Sequence, residues 1–278
     1  MRLGGPVHEK SGDPAAWAEA ATGLAYRAVY CPLTEKADDA TVRAYAKAAA
    51  DADLVIAEVG AWSNPLSPND AERRAKIDYN QKRLALAERI GARCCVNIAG
   101  SRSKDSWHGP CAENFTPETF DLIVETVRTI IDAVKPTRTY YTLECMAFAP
   151  PYTADNYLAL VKAVDRERFA VHFDPVNIIW SPMRFYATGE VIREFVQKLG
   201  PRIRSCHAKD IALSDQLTVH LSEVLPGTGG LDYRALLKEL DRLDPDLPLM
   251  LEHLKGAEQY AKAAQHVRTV AKDVGVRL

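Results

Sequence analysis

The chain has 278 residues, of which 47% are hydrophobic and 26% charged, a length that one α/β barrel fills without a second domain. A formal net charge of −2 provides no broad positive field, which argues against nucleic acid or an anionic membrane as the main partner, and no run approaches the ~20 apolar residues of a membrane span. The six cysteines, at 31, 94, 95, 111, 145 and 206, show neither paired metal-ligand spacing nor a disulfide framework. With a start, Met1-Arg2-Leu3-Gly4-Gly5-Pro6, that lacks the basic and then apolar order of a secretory signal, the expectation is a cytoplasmic protein with free thiols.

Along the chain, short β-rich runs alternate with amphipathic stretches. A first strand is expected at residues 2–4. Asp13-Pro14 then pairs a capping side chain with a proline suited to the first helical turn, and Trp17 in that helix reads as core. Strands at 26–30 and 54–59 follow, and Glu72-Arg73-Arg74 reads as a solvated helical face. After a strand at 94–98, Thr116-Pro117 opens a helix in which Phe120, Ile123, Val124, Val127, Ile130, Ile131 and Val134 recur at helical spacing. Strands at 140–144 and 169–174 come next; Gly200-Pro201 closes a helix; the last two strands fall at 203–207 and 249–252. Eight βα units closing on themselves predict a single-domain (β/α)8 TIM barrel over residues 1–278.

Four of these strands end in a polar residue: Tyr-Thr-Leu-Glu144, Val-His-Phe-Asp174, Arg-Ser-Cys-His207 and Leu-Met-Leu-Glu252. In such barrels the carboxyl ends of the strands share one mouth. Any one of the four would pass for a buried, hydrogen-bonded structural residue. Together, three carboxylates on one pole repel, two of them ~4 Å apart by about 4 kcal/mol at an effective dielectric near 20, and a shared cation removes that penalty. The set therefore predicts a site for one divalent metal ion, with oxygen-rich ligands suiting Mn²⁺ or Mg²⁺ and leaving Co²⁺ or Zn²⁺ open. Glu58, Trp62, Asn97, Trp107, His108, Asn177 and Lys209 are expected to line the same mouth, where aromatic faces cover the C–H faces of a sugar and polar groups fix its hydroxyls. His172 shares a strand face with Asp174 and reads as a support for a ligand or as a satisfied core histidine. His220 and His253 carry no context, and His266 is expected at the surface.

At these residues the sequence resembles the xylose isomerase-like barrel superfamily of sugar isomerases, ketose 3-epimerases, inosose dehydratases and endonuclease IV. Leu-Glu144, His-Phe-Asp174-Pro, Cys-His207-Ala-Lys-Asp210, Leu-Glu252-His and the glycine-rich Pro226-Gly227-Thr-Gly229-Gly-Leu-Asp232-Tyr carry the likeness in order. The resemblance implies that Glu144 and Glu252 are both metal ligands and the acid/base pair. It also marks departures: Asn177 stands where the epimerases carry a histidine three residues after the aspartate, and Ser214-Asp215 and Pro150 stand where an arginine and a second glutamate are usual. Endonuclease IV fits less well, since its further histidines have no counterparts.

The chemistry implied is removal of a proton next to a carbonyl through a metal-stabilised enediolate, giving a sugar isomerase or epimerase acting on a small sugar or keto-sugar. The close alternative is a metal-dependent dehydratase or lyase that expels a β-oxygen from a keto-sugar, keto-glycoside or inosose, with Lys209 or His108 assisting. A third reading, of another class, is a non-catalytic sugar-binding or structural partner barrel, against which the two retained glutamates speak. A homo-oligomer stays open.

Overall fold

The computed structural model describes residues 1–278. Eight parallel strands close the barrel: β1 Arg2–Gly5, β2 Ala28–Tyr30, β3 Val55–Gly60, β4 Cys94–Asn97, β5 Tyr140–Glu144, β6 Phe169–Phe173, β7 Ile203–Ala208 and β10 Pro248–Leu251. All eight expected strands form, with β2 starting two residues late. Between β7 and β10 the chain adds an antiparallel hairpin that the sequence reading did not include, β8 Asp210–Ser214 paired with β9 His220–Val224.

The long helices that wrap the barrel start where the sequence punctuates them. Asp13 accepts from the backbone N–H groups of Ala15 and Ala16 at the head of α1 (Pro14–Gly23), and Thr116 accepts from Thr119 N–H at the head of α4 (Pro117–Val134). Helix α2 spans Asp39–Asp51, α3 Asp70–Ile90 and α5 Ala154–Val164; a short α6, Pro182–Tyr186, precedes α7, Thr188–Leu199, and α8 (Tyr233–Asp241) and α9 (Gly256–Val274) complete the ring. Ile123, Val124, Val127, Ile130 and Ile131 of α4 are buried, as their spacing requires, and Trp17 joins the same core. His266 departs from expectation: it is half-buried on α9, with its ring edge-on to Tyr233 at 5.0 Å.

Alternation along the strands separates a helix-facing core from a narrow bore. Leu3, Val29, Leu249 and Leu251 belong to the large core, whereas Ala28, Ala57 and Met250 form a small separate cluster with Tyr30 against it. Two irregularities interrupt this alternation. Val29 and Tyr30 pair with Ile56 and Glu58, so β3 carries one extra residue at Ala57; Val171 and His172 pair with Ile203 and Ser205, so β7 carries one at Arg204. Such bulges re-aim the side chains that follow them.

Candidate metal centre

The four strands that carry the expected ligands are contiguous in the barrel, in the order β10, β7, β6, β5. Glu144 ends β5, Asp174 follows β6, His207 lies near the end of β7 and Glu252 follows β10. Their ligand atoms all lie within 4.8 Å of one another. The Nδ1 atom of His207 is 3.0 Å from Glu144 Oε1, 2.8 Å from Glu252 Oε1 and 3.6 Å from Asp174 Oδ2.

Two of the four side chains are aimed by their neighbours. The backbone N–H groups of Val176 and Asn177 donate to Asp174 Oδ1 at 2.9 and 3.2 Å, leaving Oδ2 turned into the cluster. Asn177 Nδ2 donates to Glu144 Oε1 at 3.2 Å. Asp174 Oδ2 and Glu252 Oε1 are buried and accept no hydrogen bond. Buried carboxylate oxygens without donors are costly, and their convergence with an imidazole nitrogen fits an oxygen-rich divalent site.

The ammonium of Lys209, itself buried, stands beside these oxygens, 2.8 Å from Asp174 Oδ2, 3.6 Å from Glu144 Oε1 and in contact with Glu252 Oε1. It is close to them but not aligned for a hydrogen bond, so it supplies charge without satisfying their lone pairs. Burial pushes the Glu144 carboxyl up, against the pull of Lys209 and His207. At Glu252 burial acts in the same direction, but His207 and Lys209 overcome it and hold the carboxyl at about 2. Burial would lower His207, yet Glu252 and Glu58 raise it well above its ordinary range.

Above the cluster opens a cavity of about 330 Å³ lined by Trp62, Trp107, His108, Asn177, Lys209, Glu144 and Glu252. Trp62 and Trp107 are 41% and 44% exposed, a free aromatic surface at the mouth. Two other expected lining residues are elsewhere. Asn97 shares its strand face with Cys95, a core residue, so it points outward toward α3, where it donates to Asn80 and accepts from Ser63 N–H. Glu58 is 1% exposed and lies beneath the cluster, bonded to His172, Ser205 and His207. The bulge at Ala57 turns it into the bore.

The cavity also holds residues that the sequence reading left out. Glu223, on the unforeseen hairpin, lines it together with Ile98, Met146 and His253. His253 follows Glu252 with φ +58°, an uncommon left-handed conformation for a histidine, and its Nδ1 meets Glu223 Oε2 at 3.1 Å. The sequence Leu-Glu252-His sets the two residues side by side; what that histidine faces is visible only in the fold. All six cysteines are free, and no helix is long and apolar enough to cross a membrane.

A closed parallel barrel with a buried carboxylate and imidazole cluster at the carboxyl ends of its strands defines the class. The family model described as xylose isomerase-like TIM barrel matches residues 18–270, and the chain belongs to that family. No curated protein matches the sequence. Among solved structures it is similar to a D-psicose 3-epimerase with D-tagatose from Clostridium cellulolyticum H10, at 14% identity over 100% of both chains and a TM-score of 0.69. A probable 3-DHS dehydratase, AsbF, of Bacillus anthracis is 16% identical over 98% of this chain and 99% of its own, with a TM-score of 0.71. A xylose isomerase-like TIM barrel protein from Mycobacterium smegmatis in complex with magnesium is 15% identical over 98% and 96%, with a TM-score of 0.69. At such identities the likeness is one of fold.

Proposed function

We propose that the chain is a divalent-metal-dependent isomerase or epimerase of a small sugar or keto-sugar. The observation that carries this reading is the convergence of Glu144 and Glu252, from strands separated on the barrel by β6 and β7, on one centre beneath an aromatic-walled cavity. Neighbours that include sugar epimerases and a magnesium complex support it. Glu144, Asp174, His207 and Glu252 would hold Mn²⁺ or Mg²⁺, which when bound supplies a Lewis acid that spreads the negative charge of a deprotonated substrate.

The residues then divide the work. Trp62 and Trp107 cover the apolar C–H faces of the ring, and Asn177, His108 and Lys209 hydrogen-bond its oxygens. One glutamate takes the proton from the carbon beside the carbonyl; the C–H pair becomes a C=C bond and the carbonyl pair moves onto oxygen. The other glutamate returns a proton, to the opposite face of the same carbon for epimerisation or to the neighbouring carbon for isomerisation.

A second reading rests on Lys209, whose ammonium reaches into the cluster: with a leaving oxygen at the β position, the same proton removal ends in elimination, and Lys209 protonates the departing oxygen. Proton NMR in deuterated buffer with Mg²⁺ and a panel of keto-sugars tests both. Deuterium at one carbon with an epimer or isomer supports the first reading, and loss of a β-oxygen the second. Binding without exchange, or turnover indifferent to chelator, removes both. Glu144→Gln is expected to lower turnover by roughly 10²–10⁴-fold, the usual contribution of an acid/base group.

A further inference from the structure

Beneath the ligand cluster lies a second buried group that the proposed chemistry does not use. Glu58 Oε1 receives His172 Nε2 at 2.9 Å and the hydroxyl of Ser205. Glu58 Oε2 faces His207 Nε2 at 3.4 Å. All four residues are nearly or wholly inaccessible, and the bulges at Ala57 and Arg204 aim Glu58 and Ser205 into the bore from two sides. His207 thus stands between two sets of acids: its Nδ1 faces Glu144, Asp174 and Glu252, and its Nε2 faces Glu58 alone.

The structure assigns Glu58 a positioning role: we infer that its carboxylate fixes a proton on His207 Nε2 and thereby presents Nδ1, lone pair outward, as the ligand atom for a divalent cation. This rests on the metal reading above. The argument is one of donors and acceptors. An ionised carboxylate only accepts, and His172 and Ser205 already commit donors to Oε1, so the atom facing Oε2 must be an N–H. In a neutral imidazole the other nitrogen is then the acceptor. His172 obeys the same logic: its Nε2 donates to Glu58, and its buried Nδ1 is left without a partner, as expected of a lone pair and not of an N–H. A carboxylate behind a ligating histidine also locks ring rotation, and loss of such a partner typically weakens metal affinity 10–100-fold.

Two measurements test this. In protein with ¹⁵N-labelled histidine loaded with Mg²⁺, long-range ¹H–¹⁵N correlation is expected to place the His207 proton on Nε2; a proton on Nδ1, with Nε2 toward the ion, overturns the inference without any variant. In calorimetric titration with Mn²⁺, Glu58→Gln is expected to bind 10–100-fold more weakly than wild type and Glu58→Leu at least as weakly, whereas Ser205→Ala changes affinity less. A packing role alone predicts that the Glu58 variants lose thermal stability in the metal-free form while their folded fraction binds Mn²⁺ as wild type does, and that result also overturns it. A wild-type chain that binds neither ion removes the metal reading and this inference together.

Discussion

Two buried aspartates at the carboxyl ends of neighbouring strands show how the same side chain serves opposite ends. Asp174, after β6, has one oxygen held by two backbone N–H groups and the other without a donor. Asp210, which opens the hairpin after β7, has both oxygens filled: Oδ1 accepts from the N–H groups of Ile211 and Leu231, and Oδ2 from those of Gly227 and Gly229. It is the hub around which the glycine-rich loop folds, and Gly227, at φ +94°, supplies a turn that other residues enter only with strain. A buried carboxylate satisfied by backbone is architecture; one with an oxygen left over keeps a lone pair free for a cation.

The sharpest way to break that contrast is to replace each aspartate by asparagine. An amide at 174 can keep its oxygen toward Val176 and Asn177 N–H, so Asp174→Asn is expected to fold, and to lose divalent-metal affinity by on the order of 100-fold or more, since even outer partners cost 10–100-fold; calorimetry with Mn²⁺ checks it. An amide at 210 must set an NH₂ group against two backbone N–H groups. Asp210→Asn is therefore expected to destabilise the chain by about 2–4 kcal/mol, a drop in Tm of roughly 5–10 °C by calorimetric or circular dichroism melting.

A third test uses pH. In the metal-free cluster Glu252 and Glu58 hold the His207 proton well above its ordinary range, against the pull of burial, and an entering cation must displace that proton from Nδ1. Metal binding is expected to release about one proton, and apparent affinity to fall about tenfold per pH unit on acidification, ~1.4 kcal/mol. Buffers of differing ionisation enthalpy read the release directly; affinity independent of pH would contradict it.

The mildest test is a satisfied carboxylate near the surface. Glu88 accepts from the Thr137 hydroxyl and from the N–H groups of Thr137, Arg138 and Thr139. Partial burial pushes its carboxyl up, but these donors prevail and hold it at about 2, below the ordinary 4.5. Because the folded value is the lower one, the stability it adds is complete above about pH 4.5 and is lost as pH falls through about 2. Glu88→Gln is expected to cost about 1 kcal/mol at neutral pH, discounted for solvent screening, and clearly less at about pH 2, as urea melts at the two pH values will show.

How much of this was legible follows from the same physics. Parallel barrel strands are buried on both faces, so they appear as apolar runs, and residues 140–144 and 169–174 stand out together with the carboxylates that end them. The hairpin has one face toward solvent, short strands and the loop 215–219, and its residues blend with ordinary connections; Glu223 went unnoticed with it. Glu58 was seen, but its depth depends on one extra residue in β3, and a shift of one position turns a side chain to the other face with no local signal. Asn97 fell to the same parity rule in reverse. Asp210 was part of a recognised motif, while its four hydrogen bonds join residues up to 21 positions apart and exist only in the folded chain.

The β8–β9 hairpin pairs with itself and with no barrel strand; its base, where Asp210 pairs with Val224, joins the barrel and holds Glu223 at the cavity, while its tip at Ser214 and His220 reaches away. That makes it an interchangeable part. Residues 214–220 form a stretch that protein engineers could diversify in length and composition to retune which molecules enter, while the eight-stranded frame and the cluster at its mouth stay as they are.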